Sequence, residues 1–229
     1  FIVLRNFKLN IYYSFIYSLF FSILAYPTSG TPFVDHHSTF FSLLGIYTLI
    51  LAIKEEKTYY WTLLPLFFGF AFLSKQVPAS YIIISTILVL FFYSFLQKKY
   101  NWIKHVFISV SLFILLLLIF GKIQGIHLSS FLEQYIFYPQ TIGEKRFDNI
   151  DISLMHIIGH FKFIYLSILP LFYINIRNIF LDKNYFKKKD FFYFLILIMF
   201  TSSLIFHQIL TRNQTFIFFL IPILIAFSH

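Results

Sequence analysis

The stretch VFISVSLFILLLLIF, residues 106–120, decides the fold class because it contains no charged residue and lies between Lys104 and Lys122. An uncharged run of this kind is typical of a helix that crosses a lipid bilayer. Similar runs recur along the 229 residues, which are 59% hydrophobic and 12% charged, with a mean hydropathy of +0.79. Soluble domains are about half apolar and about one-quarter charged. The sequence therefore predicts an integral membrane protein.

Eight apolar runs predict an all-α, polytopic transmembrane helical bundle. Each run has to be helical, because unpaired backbone groups in hydrocarbon would cost several kcal/mol apiece. We treat residues 1–229 as part of a single transmembrane domain whose two termini are truncated, since the chain starts with Phe1 and stops within an apolar run. The predicted spans are residues 10–26, 38–53, 58–73, 78–96, 103–120, 156–176, 191–209 and 214–228.

The basic residues predict which side of the membrane each loop occupies. Twelve of them fall in one set of loops and six in the other set, which is longer. Cytoplasmic loops carry the excess of Lys and Arg, so the first set and the N-terminus are predicted to be cytoplasmic. The net charge of +9 lies in short clusters between spans, so nucleic acid is not a predicted partner. The absence of Cys excludes disulfides and thiolate metal sites.

The longest loop, residues 121–155, is predicted to be external. It contains a stretch with apolar residues at helical spacing, which predicts an amphipathic helix at the membrane interface over about residues 128–138. We expect Pro139 to limit this helix and residues 141–151 to form a polar turn region. The apolar positions are Leu128, Phe131, Leu132, Tyr135 and Ile136.

The first external loop ends in an acidic residue and two histidines. Asp35, His36 and His37 would lie at or just before the first turn of the next span, where backbone amides and the helix dipole favour a carboxylate. One interpretation is a helix cap with two interfacial histidines. The other is a site that binds a divalent metal ion or handles phosphate, because carboxylate oxygens and imidazoles both bind metals.

Two cations are also predicted on the external side. Lys75 lies in a tight turn between two spans, and Arg212 precedes a span that contains Pro222. Each is a natural partner for a lipid phosphate, through charge-assisted hydrogen bonds. The alternatives are a lysine that reaches to the interface and an arginine that marks a span boundary. Six histidines share this side: His36, His37, His127, His156, His160 and His207.

Three of these features occur in an order that resembles the GT-C glycosyltransferases. They are the Asp-initiated helix in residues 34–41, the turn GFAFLSK in residues 69–75, and Arg212 before a Pro-containing span. The resemblance is to the branch related to protein O-mannosyltransferases and lipid A aminoarabinose transferases. Those enzymes often have an Asp that opens the fourth span, a turn ending in Lys after the fifth, and a basic residue near the tenth.

The resemblance implies roles for individual residues. Asp35 corresponds to the second acidic position of these enzymes and becomes the candidate catalytic residue, which helps to organise the site. In the oligosaccharyltransferase relatives a similarly placed acidic motif contributes to metal binding, and here the candidate metal ligands are Asp35, His36 and His37. Lys75 and Arg212 would face the phosphate of the lipid carrier. The catalytic base would lie in a loop that precedes Phe1.

The implied reaction is inverting transfer of a hexosyl or pentosyl unit from a polyprenyl-phosphate sugar to a lipid, glycan or protein acceptor. It would take place on the non-cytoplasmic face of a bacterial inner (plasma) membrane, among membrane lipids. A secondary transporter or lipid flippase is the first alternative, although such proteins carry ionisable residues near the middle of the membrane. A polysaccharide polymerase or ligase is the second, favoured by Arg146 in the long loop together with His156 and His160 just after it.

Overall fold

A computed structural model of the chain describes residues 1–27, 30–147, 153–211 and 217–229, but not the side chains of residues 143–147. All regular elements within these ranges are helices, which confirms the predicted all-α class. The α-helices are α1 Ile2–Asn6, α2 Ile11–Ala25, α3 Val34–Glu55, α4 Thr58–Ser74, α5 Gln76–Gln97, α6 Asn101–Ile123, α7 Leu128–Leu132, α8 Tyr138–Phe147, α9 Lys162–Leu181, α10 Lys189–Thr211 and α11 Leu220–Ser228.

Five helices are long and apolar enough to cross a membrane, namely α3, α5, α6, α9 and α10. α2 and α4 are apolar but shorter, with 15 and 17 residues, and α11 has nine. At 1.5 Å per residue, α4 is about 26 Å long, close to the hydrocarbon thickness of about 30 Å. Each of the eight predicted spans overlaps one of these helices, so the predicted bundle is confirmed.

α3 is the central helix of the bundle. In its most apolar 18-residue window 67% of the residues are buried, against 6% in α6. α3 packs along α4 and also contacts α5 and α10, so Leu49 and Ile50 are fully buried. Gly45 allows α4 to approach closely, because a methyl group there would lie 2.7 Å from Phe68 Cε1. α6, by contrast, lies at the edge of the bundle and presents its apolar side chains outward.

Two helix boundaries differ from the predicted ones. α3 begins at Val34 instead of residue 38, because His36 Nδ1 accepts the backbone N–H of Phe33 at 3.2 Å and satisfies a donor at the helix start. α9 begins at Lys162 instead of residue 156, because Met155–Gly159 forms a π-helical turn whose wider hydrogen bonding interrupts the α-helix.

The segment of residues 128–147, between α6 and α9, is more helical than predicted. α7 leads into a π-helical turn, Glu133–Phe137, and then into α8, which includes Pro139. Pro139 has no N–H to donate to the preceding turn of a helix. The π-helical turn just before it has wider hydrogen-bond spacing, so the chain stays helical through the proline. α8 packs against α10. Of the predicted turn region, residues 141–147 are therefore helical, and residues 148–151 lie outside the described part of the chain.

Lysines from several elements surround one carboxylate at one end of the bundle. Glu56, just after α3, accepts hydrogen bonds on Oε1 from Lys99 Nζ and Lys189 Nζ, both at 2.7 Å. Hydrogen bonds from Lys189 and Lys99 lower the pKa of the Glu56 carboxyl. Lys189 Nζ also donates to the backbone oxygen of Lys54 at 2.9 Å. We call Glu56, Lys99 and Lys189 the Glu56 cluster; its lysines belong to the set predicted to be cytoplasmic.

Candidate functional site

Three polar side chains meet at the opposite end of the bundle. Lys75 Nζ donates to Asp35 Oδ1 at 2.7 Å and to Asp35 Oδ2 at 2.6 Å. His207 Nε2 lies 3.1 Å from Asp35 Oδ1. We call these three residues the Asp35 cluster. The structure thus brings Asp35 and Lys75, both predicted on the external side, into direct contact.

Asp35 lies in the first turn of α3. The unpaired backbone amides of a helix start give it positive character, so this position favours an ionised carboxylate. The carboxylate does not cap the helix, because the residue at the cap position is Phe33 and both Asp35 oxygens are bound by side chains of other elements. The helix start orients Asp35 toward its neighbours.

Lys75 is a single extended residue between α4 and α5, with φ −161° and ψ 129°. Because Lys75 belongs to neither helix, the geometry of α4 and α5 does not set the direction of its side chain. The side chain extends toward α3. Ser38 Oγ, one turn after Asp35 on α3, donates to the backbone oxygen of Lys75 at 3.0 Å. α3 therefore holds both the ammonium group and the backbone of Lys75.

His207 is the member of the cluster that sequence reasoning did not single out. It lies on α10, and its side chain is 1% exposed. The sequence predicts His207 on the external side with five other histidines, and nothing in that prediction distinguishes it from them as a site residue. A signal was present, because an ionisable residue within an apolar span is a candidate functional residue by default. The predicted span of residues 191–209 contains His207 near its external end.

The Asp35 carboxylate is held between two donors. A carboxylate only accepts hydrogen bonds, so Lys75 donates through its ammonium and His207 through an N–H on Nε2. With a neutral imidazole the cluster has no net charge, and with an imidazolium it has a charge of +1. The Asp35 and Lys75 side chains are 20% and 26% exposed, so a ligand can reach both. An ammonium has three donors, which leaves Lys75 able to bind a further anion.

A shallow, open groove runs between α5 and α10. Its cavity of ≈ 300 Å³ lies on the outer surface of the bundle, and its exposed side chains include Ile84, Leu88 and Phe206. Phe206 directly precedes His207 in the chain. Small residues make the groove, since Ser203 Oγ on α10 approaches Ser85 Oγ on α5 at 3.1 Å. The groove suits an apolar chain that lies along the bundle.

Comparison with known protein families finds one match, over residues 8–122, to the family described as dolichyl-phosphate-mannose-protein mannosyltransferase. The matched range is 115 of the 229 residues, half of the chain. The chain belongs to this family. The resemblance seen in the sequence is therefore confirmed, and the chain is assigned to the membrane glycosyltransferases of the GT-C type. No curated protein and no solved structure gives a significant match.

The mannosyltransferase match includes two of the three residues of the Asp35 cluster. Asp35 and Lys75 lie within residues 8–122, whereas His207 lies beyond them. The structure thus adds His207, from α10, to a site whose other two members lie in the part of the chain that matches the family.

The predicted metal site is not favoured by the arrangement of its residues. The Asp35 oxygens are engaged by Lys75 and His207, His36 Nδ1 accepts the Phe33 N–H, and His37 is exposed. Among the described residues there is no group of three or more His, Cys, Asp or Glu side chains that could hold a metal ion. The metal ion stays a prediction, and no step below depends on it.

Arg212, the second predicted phosphate-binding cation, lies outside the described residues, so its role also stays a prediction. It follows Thr211, the last residue of α10, and α10 also carries His207.

Proposed function

We propose that the chain is part of an inverting glycosyltransferase that moves a sugar from a polyprenyl-phosphate-linked donor to a lipid, glycan or protein acceptor. The reaction takes place at the non-cytoplasmic face of the membrane. The observation that carries the proposal is the Asp35 cluster: a carboxylate bound by Lys75 and His207, at the end of apolar helices, in a chain of the mannosyltransferase family.

The distribution of lysines supports the proposed side of the membrane. The Glu56 cluster lies at the opposite end of α3 from Asp35, and Lys54 and Lys57 lie near it. An excess of lysine is typical of cytoplasmic loops. If the Glu56 end is cytoplasmic, the Asp35 end faces the other side.

Lys75 is the proposed phosphate-binding group. When the sugar is transferred, the bond from the sugar to the phosphate oxygen breaks and negative charge develops on the leaving phosphate. A fixed cation beside this oxygen stabilises the charge. Arg212 is the proposed second cation, on the basis of the sequence alone.

Asp35 is the proposed residue that fixes Lys75. A carboxylate that already accepts hydrogen bonds from an ammonium and an imidazole is a weak base, since both bonds favour its ionised form. We therefore assign Asp35 to the organisation of the phosphate-binding group and not to removal of the proton from the acceptor.

The groove between α5 and α10 supports a donor with an apolar tail. A lipid that occupies it would have its head near Phe206, next to His207. Its phosphate would then lie at the end of the bundle where Lys75 is partly exposed. Membrane lipids are the remaining proposed partners.

The transporter and flippase alternative finds less support. Those proteins use ionisable groups near the middle of the membrane. Here Asp35 lies in the first turn of α3, Lys75 lies between two helices, and His207 is within the last two turns of α10. The polar groups of the site thus lie at helix ends, where a sugar transferred at the interface would be.

Replacing Asp35 tests the proposal. In the full-length protein, reconstituted in vesicles with a polyprenyl-phosphate sugar, Asp35→Asn should lower sugar transfer at least about tenfold, because Lys75 loses its ionic partner. Asp182→Asn is the matched control, since Asp182 pairs with Lys188 at 2.8 Å outside the cluster. Normal transfer by the Asp35 variant would remove the cluster from the mechanism. Movement of intact lipid by the wild type, without transfer, would favour a flippase.

A further inference from the structure

The break between α4 and α5 leaves backbone carbonyl groups that no helix satisfies. The last carbonyls of any α-helix lack an N–H partner within the helix. In α4, Ala71 O accepts the N–H of Lys75 at 3.0 Å, and Phe70 O accepts Ser74 Oγ at 2.8 Å. The backbone oxygen of Leu73 cannot accept a helical hydrogen bond, because the extended backbone angles of Lys75 and Val77 interrupt the helix at this point.

Two hydroxyl groups from other elements bind this break. Tyr135 Oη donates to Leu73 O at 2.8 Å, and Ser38 Oγ donates to Lys75 O at 3.0 Å. Leu73 and Lys75 are two residues apart, so these bonds hold the backbone on both sides of Ser74. Ser38 belongs to α3, the helix of Asp35, whereas Tyr135 comes from the segment of residues 128–147.

The π-helical turn of Glu133–Phe137 contains Tyr135 and sets its direction. The Tyr135 ring stacks on the Phe131 ring, with centroids 4.9 Å apart and planes 12° apart. The stack fixes the ring, so the hydroxyl group is presented to Leu73 without further ordering of the side chain. The tyrosine is thus pre-organised as a donor to a backbone oxygen 62 positions earlier in the chain.

We propose that Tyr135 is a positioning residue for Lys75, which makes the segment of residues 128–147 a part of the phosphate-binding site. The proposal rests on the proposed function for its effect on the donor. The hydroxyl group of Tyr135 binds the backbone oxygen of Leu73, so it acts by fixing the backbone from which the Lys75 side chain extends. Whatever moves residues 128–147 therefore also moves the proposed phosphate-binding cation.

The kinetic test is Tyr135→Phe, which keeps the ring stack on Phe131 and removes only the hydroxyl group. Loss of one hydrogen bond to a backbone carbonyl should lower kcat/KM for the polyprenyl-phosphate sugar about tenfold. KM should rise because Lys75 holds the donor phosphate less well, and kcat should fall because the charge on the leaving phosphate is less stabilised. Tyr138→Phe is the matched control, because Tyr138 is exposed on the same segment. An unchanged kcat/KM in the Tyr135 variant, or an equal change in the control, would overturn the proposal.

A second measurement does not depend on sugar transfer. The chain contains no cysteine, so Gln76→Cys places one thiol beside Lys75. We expect a maleimide to label this thiol several times faster when Tyr135→Phe is added, and at an unchanged rate when Tyr138→Phe is added. Equal rates in all three proteins would show that Tyr135 does not hold the turn. Faster labelling without any sugar transfer by the wild type would uphold Tyr135 and reject the proposed function.

Discussion

Asp35 is the residue on which two basic side chains converge, Lys75 from the break between α4 and α5 and His207 from α10. Its carboxylate stands at a helix start, so it is stabilised as an anion before either partner is considered. Lys75 then binds both oxygens, and His207 binds one of them. Removal of either partner leaves a partly buried charge with fewer donors, which is more harmful than the absence of the whole cluster.

His207 offers a test of the cluster at the level of one side chain. His207→Gln keeps an N–H donor for Asp35, whereas His207→Phe keeps the bulk and removes the donor. A hydrogen bond to a charged group contributes about 1.5–3 kcal/mol, so the Phe variant should lose about 10- to 100-fold in kcat/KM. The Gln variant should stay within about fivefold of the wild type, as judged by initial rates with a polyprenyl-phosphate sugar. Equal losses in the two variants would show that the hydrogen bond is unimportant.

The sequence was sufficient to place Asp35 and Lys75 at one end of the bundle but not to find His207. Span counting assigns each residue to a side of the membrane, and that is enough for residues at helix ends. It does not say which direction a residue on α10 faces. The packing of α10 against α3 and α5 brings His207 to Asp35, and the apolar runs do not encode that packing. The Tyr135 bond to Leu73 depends on the same kind of distant contact.

At the scale of the helices, the apolar runs predicted the order of the eight helices that overlap them, α2–α6 and α9–α11, but not the shorter α1 or α8. Their boundaries were less well predicted, because local contacts decide them. The imidazole of His36 moves the start of α3 to Val34, and a π-helical turn moves the start of α9 to Lys162. The π-helical turn before Pro139 likewise lets α8 continue where a proline was expected to end it.

The contact between α3 and α4 gives a prediction for helix packing. Gly45→Ala should lower the free energy of unfolding by about 1–3 kcal/mol, because the added methyl group meets the Phe68 ring in a filled core. Gly121→Ala is the control, since its nearest atom, Ile126 O, would be 3.9 Å away. Thermal unfolding in detergent, followed by circular dichroism, measures both. If the two variants have the same free energy of unfolding, α3 and α4 are not packed closely at Gly45.

At the scale of the whole molecule, the proposed function requires that the two ends of the bundle lie on opposite sides of the membrane. Since the chain has no cysteine, single thiols report the side without interference from native ones. Gln124→Cys, just after α6, should react with a membrane-impermeant maleimide added outside intact cells. Lys183→Cys, between α9 and α10, should react only after the membrane is opened. Labelling of both thiols from outside would contradict the proposed topology.

The two clusters repeat one arrangement at the two ends of the same helices. α3 has Asp35 in its first turn and is followed by Glu56, so it has a carboxylate at each end. Lys75 and Lys99 flank α5, and α10 contributes Lys189 near one end and His207 near the other. The helices α3, α5 and α10 are thus connected by polar contacts at both of their ends. A sugar donor that binds Lys75 would act on only one of these two connections, and the Glu56 cluster would keep the other ends of the three helices in register for the next turnover.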